Sequence, residues 1–170
     1  QLVRPTPPTP AEVARHLGPH EALLSITTTA DAAYVFAVTA AGQARLHVAP
    51  AGEERLAGLV RRVRAALDVG DTPLERLPPF DVAASHELYK TLLEPLRSAW
   101  SPARHLIVSA AGHLGQIPFA LLAERPDLAP AAGLPFAEYA QVAWLARRHA
   151  ISHIPSAAAL LALRRQPAAK

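Results

Sequence analysis

Hydrophobic and polar positions near the start of the chain follow the pattern of short β-strands. Segments 22–29, 34–39 and 44–48 are rich in β-branched residues or alternate with a period of two, and short connections join them. This arrangement predicts an antiparallel β-meander. Within its last strand, the alternation sets Leu46 and Val48 on one face against Arg45 and His47, with His47 directed outward.

Helical periodicity follows the meander. Apolar residues three and four positions apart predict an amphipathic helix over 53–67, and a second pattern predicts a helix over 81–100. Pro95 lies inside the second pattern, so we expect a kink or a break near Glu94. Upstream of the meander, Thr9 to Glu12 form a capping box that starts a short helix ending at Gly18.

The second half of the chain alternates strand and helix patterns. Short apolar runs at 104–109 and 150–154 predict two buried strands. An irregular stretch at 124–137 and a helix at 137–148 separate them, and a last helix at 157–165 begins after its predicted N-cap, Ser156. This order favours parallel pairing of the two strands with helices packed on the sheet, which is an α/β fold.

Length and composition are those of one domain with a sizeable core. The chain has 170 residues, of which 51% are hydrophobic and 18% charged. We divide it into a Pro-rich linker at 1–9, a domain at 10–165 with parts 10–80 and 81–165, and a tail at 166–170. The sequence contains neither a membrane-length apolar run nor a signal-peptide pattern, which favours a cytoplasmic location. Because it starts with Gln and lacks Met, we expect a trimmed piece of a longer protein.

The charge distribution does not favour nucleic acid as a partner. The net charge is +3, the cations are mostly dispersed arginines, and aromatic residues make up only 5% of the chain. Only Arg61 to Arg64 approach a basic patch, and a solvated helix face explains that group. The abundance of arginine and alanine is typical of a bacterium with GC-rich DNA.

The residues available for chemistry exclude several kinds of site. The chain contains no Cys, which rules out a disulfide, a thiolate metal site and a cysteine nucleophile within it. Its eight His show no HExxH spacing, so we predict neither a metal nor a cofactor. His113 follows a strand end in a glycine turn, but it has no acidic partner beside it in sequence. The turn from Gly112 to Gly115 also lacks the Lys of a phosphate loop.

One stretch resembles a known family. Residues 105–123, HLIVSAAGHLGQIPFALLA, resemble the CHAT domain, a family of caspase-like cysteine peptidases of clan CD. Members commonly have a buried strand, a Pro-Asp-Gly turn and a Leu-Pro-Phe-x-x-Leu segment. Gly112 and 117–122 keep that frame here, whereas Ala110 and Ala111 replace Pro-Asp. Further family elements are resembled by segments 21–25 with 34–39, by 86–96, and by 150–156 followed by 160–161, so that the resemblance covers about 140 residues.

The resemblance implies a caspase-like three-layer core with a mostly parallel sheet, preceded by the meander. It also implies a His–Cys dyad that lies beyond Lys170, so this chain would be the N-terminal structural portion and carry no catalytic residue. We expect Gly112, His113, Gly115 and Gln116 to form a wall of the substrate cleft. The expected partners are the remainder of the domain, in a downstream segment or a second chain, together with upstream tetratricopeptide repeats and a protein or peptide substrate. Neither nucleic acid nor a membrane is among them.

Two other functions remain open at this point. The chain could be a non-catalytic CHAT-like scaffold that binds partner proteins, or an unrelated α/β domain with a ligand at 112–115. Whether it contributes to an enzyme is therefore undecided. The residues encoded after Lys170 discriminate between the first two functions, since a His-Gly followed by a Cys at a strand end would favour the peptidase.

Overall fold

Five strands form one mixed β-sheet in the order β3-β2-β1-β4-β5 in the computed structural model, which describes residues 7–73, 76–127 and 136–165. The strands are β1 Glu21–Thr28, β2 Ala33–Thr39, β3 Ala44–Ala49, β4 His105–Ala110 and β5 Ala150–His153. The helices are α1 Pro10–Ala14, α2 Glu53–Arg64, α3 Val82–Leu92, α4 Arg97–Trp100 and α5 Ala157–Arg165.

The central strand, β1, joins the two halves of the sheet. It pairs with β2 in antiparallel orientation, and β2 pairs with β3 in the same way, which confirms the predicted meander. On its other side β1 runs parallel to β4, with Glu21 opposite His105, and β4 runs parallel to β5. The predicted α/β class is thus confirmed, with the meander and the later strands in a single sheet.

Helices α2 and α3 cover one face of the sheet. The apolar stripe of α2 is buried there, as its periodicity predicted. The largest buried side chains of this layer are Tyr89, Trp100 and Phe119. Burial of apolar surface on this scale is the dominant stabilising contribution to a domain of this size.

The opposite face is covered only in part, by α1 and α5. Leu23, Val38 and Ile107 of the sheet pack there against Leu160 and Leu161 of α5 and the apolar side of α1. Both helices begin with the predicted caps. Thr9 and Glu12 form the capping box of α1, and the Ser156 hydroxyl accepts a hydrogen bond from the N–H of Ala159.

The expected outward direction of His47 is wrong. Leu46 and Val48 are 51% and 47% exposed, whereas the half-buried His47 lies within 3.1 Å of the Thr91 carbonyl oxygen of α3. Phe36, which pairs with Leu46, is 41% exposed on the same face. The reason is that helices cover β3 on the side of His47, while α1 and α5 reach only the other part of the opposite face.

Strand β5 is an edge strand among the residues that the structure describes, and the prediction of a second buried strand is wrong. Ala150, Ser152 and His153 are exposed and Ile151 is half-buried. β5 lies at the rim of the sheet, since it pairs only with β4 within the described ranges, and its side chains are incompletely covered there. The prediction for the first strand is confirmed, since the middle of β4 is fully buried.

The helix predicted at 81–100 is broken at Pro95, as expected. α3 ends at Leu92, a 3-10 turn occupies Glu94–Leu96, and α4 follows. The helix predicted at 137–148 is wrong, because only 3-10 turns form at Ala137–Gln141 and Leu145–Arg147. Between these turns the chain is bonded to an earlier segment: the Leu145 N–H donates to the Leu122 carbonyl, and Trp144 bridges to Ala123.

Other predictions fall on residues that are not described. Most of the linker at 1–9 and the whole tail at 166–170 lie outside the described residues, as does much of the irregular stretch at 124–137. Within the described ranges, helices long and apolar enough to cross a bilayer are absent.

Candidate functional site

The predicted cleft wall lies where β4 ends. A 3-10 turn, Gly112–Gln116, follows the strand at the edge of the sheet where the parallel strands have their carboxyl ends. Ligands of α/β proteins commonly bind at this edge. The turn is held from below by the buried side chains of Leu114 and Ile117. The four predicted residues are therefore neighbours in one short and well-anchored turn.

The two glycines of the turn are required by its geometry. Gly112 has a φ of 61°, in the left-handed region that favours glycine. At Gly115, a Cβ atom would lie 2.8 Å from the Ala110 carbonyl oxygen, which is closer than real Cβ atoms approach. The backbone thus turns sharply enough to leave β4 and return toward the core within a few residues.

Helix α2 supports the turn from one side. Nη1 of Arg64 donates a 2.8 Å hydrogen bond to the Gln116 carbonyl oxygen, and the same guanidinium is paired with Asp68. The Glu53 carboxylate, at the other end of α2, would lie 4.0 Å from a Cβ placed on Gly112. His113 is exposed on the turn, as is Gln116. This exposed surface suits a cleft wall, which remains a prediction.

Strand pairing brings together a second group of polar residues. This group lies at the end of the sheet where the parallel strands begin, opposite the Gly112–Gln116 turn. The Ser152 hydroxyl lies 2.8 Å from Nε2 of His105, and Nδ1 of His105 lies 3.2 Å from Oε1 of Glu21. No sequence spacing indicates this group, because its members come from β1, β4 and β5. Only the parallel register, which sets Glu21 opposite His105, brings them within reach.

This Ser–His–Glu group has the bonding order of a hydrolase triad, but its backbone setting differs from one. Ser152 lies in the β4–β5 ladder rather than in a sharp turn before a helix. Successive N–H groups of a strand point in opposite directions, so its own segment does not offer two converging donors to an oxyanion. We interpret the group as a clamp between strand ends.

Glu21 is the centre of this clamp. Its Oε1 also accepts a 2.6 Å bond from Nη2 of Arg164 in α5, and its Oε2 accepts from the Gly18 N–H. Burial acts to raise the pKa of Glu21, but the bonds from Gly18, Arg164 and His105 outweigh burial and lower that pKa. The carboxylate thus stays ionised and links helix α5 to the sheet.

The remaining histidines mostly have structural partners. Nδ1 of His16, His86 and His149 lies 2.7 to 3.0 Å from the carbonyl oxygens of Glu12, Ala123 and Ala103. The His153 ring packs edge-on against Phe119 although the residue as a whole is exposed, and the partial burial of the ring lowers the pKa of His153. Over 7–73, 76–127 and 136–165, no three His, Asp or Glu side chains are grouped to hold a metal ion.

A comparison with protein families identifies the second half of the chain. The family model of the CHAT domain matches residues 82–170, slightly more than half of the sequence. This region contains β4, the Gly112–Gln116 turn, β5 and α5. No curated protein and no solved structure matches the chain. On the match to the family model, the chain belongs to the CHAT domain family.

Proposed function

We propose that this chain is the structural, N-terminal portion of a CHAT-domain cysteine peptidase. In this proposal it supplies strands and helices that support a His–Cys dyad carried by a downstream segment or a second chain. The completed domain hydrolyses peptide bonds. Support comes from the family match and from the absence of Cys in the sequence, which leaves the chain without the nucleophile of that chemistry.

The outer edge of β5, which has no partner strand within 7–73, 76–127 and 136–165, carries the proposal. The N–H groups of Ala150 and Ile154 donate to carbonyl oxygens of Arg104 and Val108 on the side of β4. Because backbone groups alternate along a strand, the N–H and C=O groups of Ile151 and His153 point away from β4. Parallel strands are normally buried within a sheet, and an unpaired edge is a template for another strand.

In this proposal the chain has a supporting role in the chemistry. A thiolate attacks the scissile carbonyl while an imidazole moves the proton, and both groups must be held in fixed geometry. A sheet extended at β5 provides rigid strand ends for them. The Gly112–Gln116 turn lies at the carboxyl edge of the parallel strands, where such strand ends would meet a substrate.

The proposal predicts that the isolated chain associates through its open edge. Size-exclusion chromatography with light scattering should find aggregates or oligomers for the 170-residue chain alone. Co-expression with the polypeptide encoded directly downstream should give a stable complex, and that complex should cleave a peptide library. A well-behaved monomer alone, or a downstream sequence without a His-Gly and a strand-end Cys, would contradict the proposal.

A proline variant tests the role of the edge directly. Ile151→Pro removes an N–H that points away from β4 and is tolerated by an edge strand, so the chain should fold yet lose complex formation. Ala44→Pro, at the first residue of β3 on the other edge, is the matched control and should keep complex formation. Thermal unfolding of both variants verifies that the sheet is intact.

A non-catalytic interaction scaffold is the second candidate function. The observation that favours it is the exposed apolar group formed by Phe36, Leu46 and Val48 on the meander. Exposed apolar side chains grouped on one face are typical of contact surfaces. Co-purification of a partner without peptidase activity in the completed protein would favour the scaffold.

A further inference from the structure

Arginines line a concave surface at the end of the sheet opposite the Gly112–Gln116 turn. A cavity of about 380 Å³ lies between α4 and the segment that precedes β5, and a second of about 250 Å³ adjoins it. The two cavities share Arg97, Glu124 and Arg148. We call this surface the arginine trough and define it by its five cations, Arg97, Arg104, Arg125, Arg147 and Arg148.

The charges of the arginine trough are unbalanced. Among the residues that line the two cavities, Glu124 is the single carboxylate, and its side chain is 10% exposed. Arg97 and Arg148 approach it at 3.3 and 3.7 Å, which is longer than a tight charge-assisted hydrogen bond. Glu94 and Asp127 are exposed nearby in the sequence but do not line the cavities. Even when they are counted with Glu124, the five arginines leave an excess of positive charge.

The segments that carry the arginines are fixed to each other by the backbone. The Glu124 N–H donates to the Ala143 carbonyl, and the Leu145 N–H donates to the Leu122 carbonyl. The buried side chain of Leu145 anchors the turn that bears Arg147, whose guanidinium donates to the Ala140 carbonyl. The trough is thus formed before any ligand arrives, which reduces the entropy lost on binding.

The shape and chemistry favour an extended polyanion. A guanidinium presents paired N–H groups that match a carboxylate, and here several of them follow one another along adjoining cavities. Nucleic acid also carries repeated anions, but proteins that bind single strands offer exposed aromatic rings on which the bases stack. Trp144, which lines the trough, donates through Nε1 to the Tyr139 carbonyl and packs against Phe80.

We propose that the arginine trough binds an acidic segment of a partner protein, with Asp or Glu side chains seated on the guanidinium groups. The site is separate from the outer edge of β5 and from the predicted cleft wall, because it lies where β4 and β5 begin rather than along the edge or where the strands end. The partner is therefore engaged without obstructing either the open edge or the turn.

Fluorescence anisotropy with a labelled peptide of about ten alternating Glu and Asp residues tests the proposal. Binding to the intact chain should saturate and weaken steeply as salt rises from about 50 to about 300 mM. The double variant Arg125→Gln, Arg147→Gln should weaken it about tenfold, since each arginine contributes charge-assisted bonds. The matched control, Arg45→Gln with Arg61→Gln, removes the same charge elsewhere and should change it less than about twofold.

Two further measurements keep the result unambiguous. Thermal unfolding shows whether each double variant is folded, and a peptide of Gln and Asn with the same length should not bind. Absence of saturable binding to the intact chain would overturn the proposal, as would an equal loss in both double variants. Tighter binding of a single-stranded oligonucleotide of equal charge would overturn the assignment to an acidic protein segment.

Discussion

Two buried polar side chains on α3 differ in how their hydroxyls are satisfied. The Ser85 hydroxyl donates to the Leu121 carbonyl and accepts from the Ala123 N–H, so it joins α3 to the segment after the Gly112–Gln116 turn. The Tyr89 hydroxyl, in contrast, is buried without a hydrogen-bond partner among the described residues. Burial also raises the pKa of Tyr89, which keeps the hydroxyl protonated. The Ser85 hydroxyl therefore stabilises the fold, whereas the Tyr89 hydroxyl is a buried polar group without a hydrogen bond among the described residues.

Removal of these two hydroxyls should have opposite effects on the free energy of unfolding. Tyr89→Phe removes an unsatisfied hydroxyl and should leave the free energy of unfolding unchanged or raise it by up to about 1 kcal/mol. Ser85→Ala leaves a buried carbonyl and N–H unpaired and should lower it by about 1–3 kcal/mol. Urea denaturation of both variants measures the difference, and a large loss in Tyr89→Phe would show that its hydroxyl has a partner.

At the scale of elements, the clamp around Glu21 connects four of them. Its carboxylate contacts His105 of β4 and Arg164 of α5, and His105 in turn contacts Ser152 of β5. α5 covers part of a face that is otherwise poorly protected, so its attachment to the sheet matters for the apolar residues beneath it. The ion pair with Arg164 is only partly exposed, which makes it stronger than a fully solvated pair.

The clamp predicts a dependence of stability on pH. Because folding lowers the pKa of Glu21 below its ordinary value of 4.5, the contribution of Glu21 to stability is complete above that pH and disappears as the pH falls through the folded-state value. Urea midpoints measured from pH 7 to about 3 should fall less steeply for Glu21→Gln than for the natural chain. Glu87→Gln, which removes the same charge from an exposed pair with Arg55, is the control for the loss of a carboxylate. Identical slopes in all three chains would contradict the prediction.

The sequence correctly predicted those features of the fold that depend only on residues close together in the chain. The capping box at Thr9, the apolar stripe of α2 and the break at Pro95 depend on neighbouring residues, and the structure has all three. Two predictions were wrong because they depend on contacts between residues far apart in the sequence. The outward direction of His47 depends on which face the helices cover, and the extended segment at Trp144 depends on its pairing with Ala123. The arginine trough and the clamp combine residues far apart in sequence, so spacing gave no indication of either.

The whole molecule has one face that its own described elements leave partly uncovered. Phe36 and Leu46 are paired across β2 and β3 there, and Val48 follows them on the same side. The outer edge of β5, which is unpaired among the described strands, is at the other side of the sheet. Self-association of the isolated chain can therefore occur through the apolar face or through the edge, and these routes respond to different substitutions.

Replacement of the apolar side chains separates the two routes. The double variant Phe36→Thr, Leu46→Thr introduces threonine, which favours strands, at two largely exposed positions. The free energy of unfolding should therefore change by less than about 0.5 kcal/mol. Light scattering should find less association than in the natural chain if the face contributes, whereas Ile151→Pro reports on the edge. A loss of more than about 1 kcal/mol would contradict the exposure of these side chains.

The position of β1 in the sheet has a consequence for biosynthesis. Glu21 and His105 pair across 84 positions, so β1 leaves the ribosome well before its parallel partner β4. At about 5–20 residues per second, β4 follows some 4–17 seconds later. Throughout that interval the edge of β1 that pairs with β4 is without its partner, and the apolar side chains of the meander stay uncovered until α2 and α3 have emerged. Translation speed and holding chaperones therefore influence the yield of correctly folded chain.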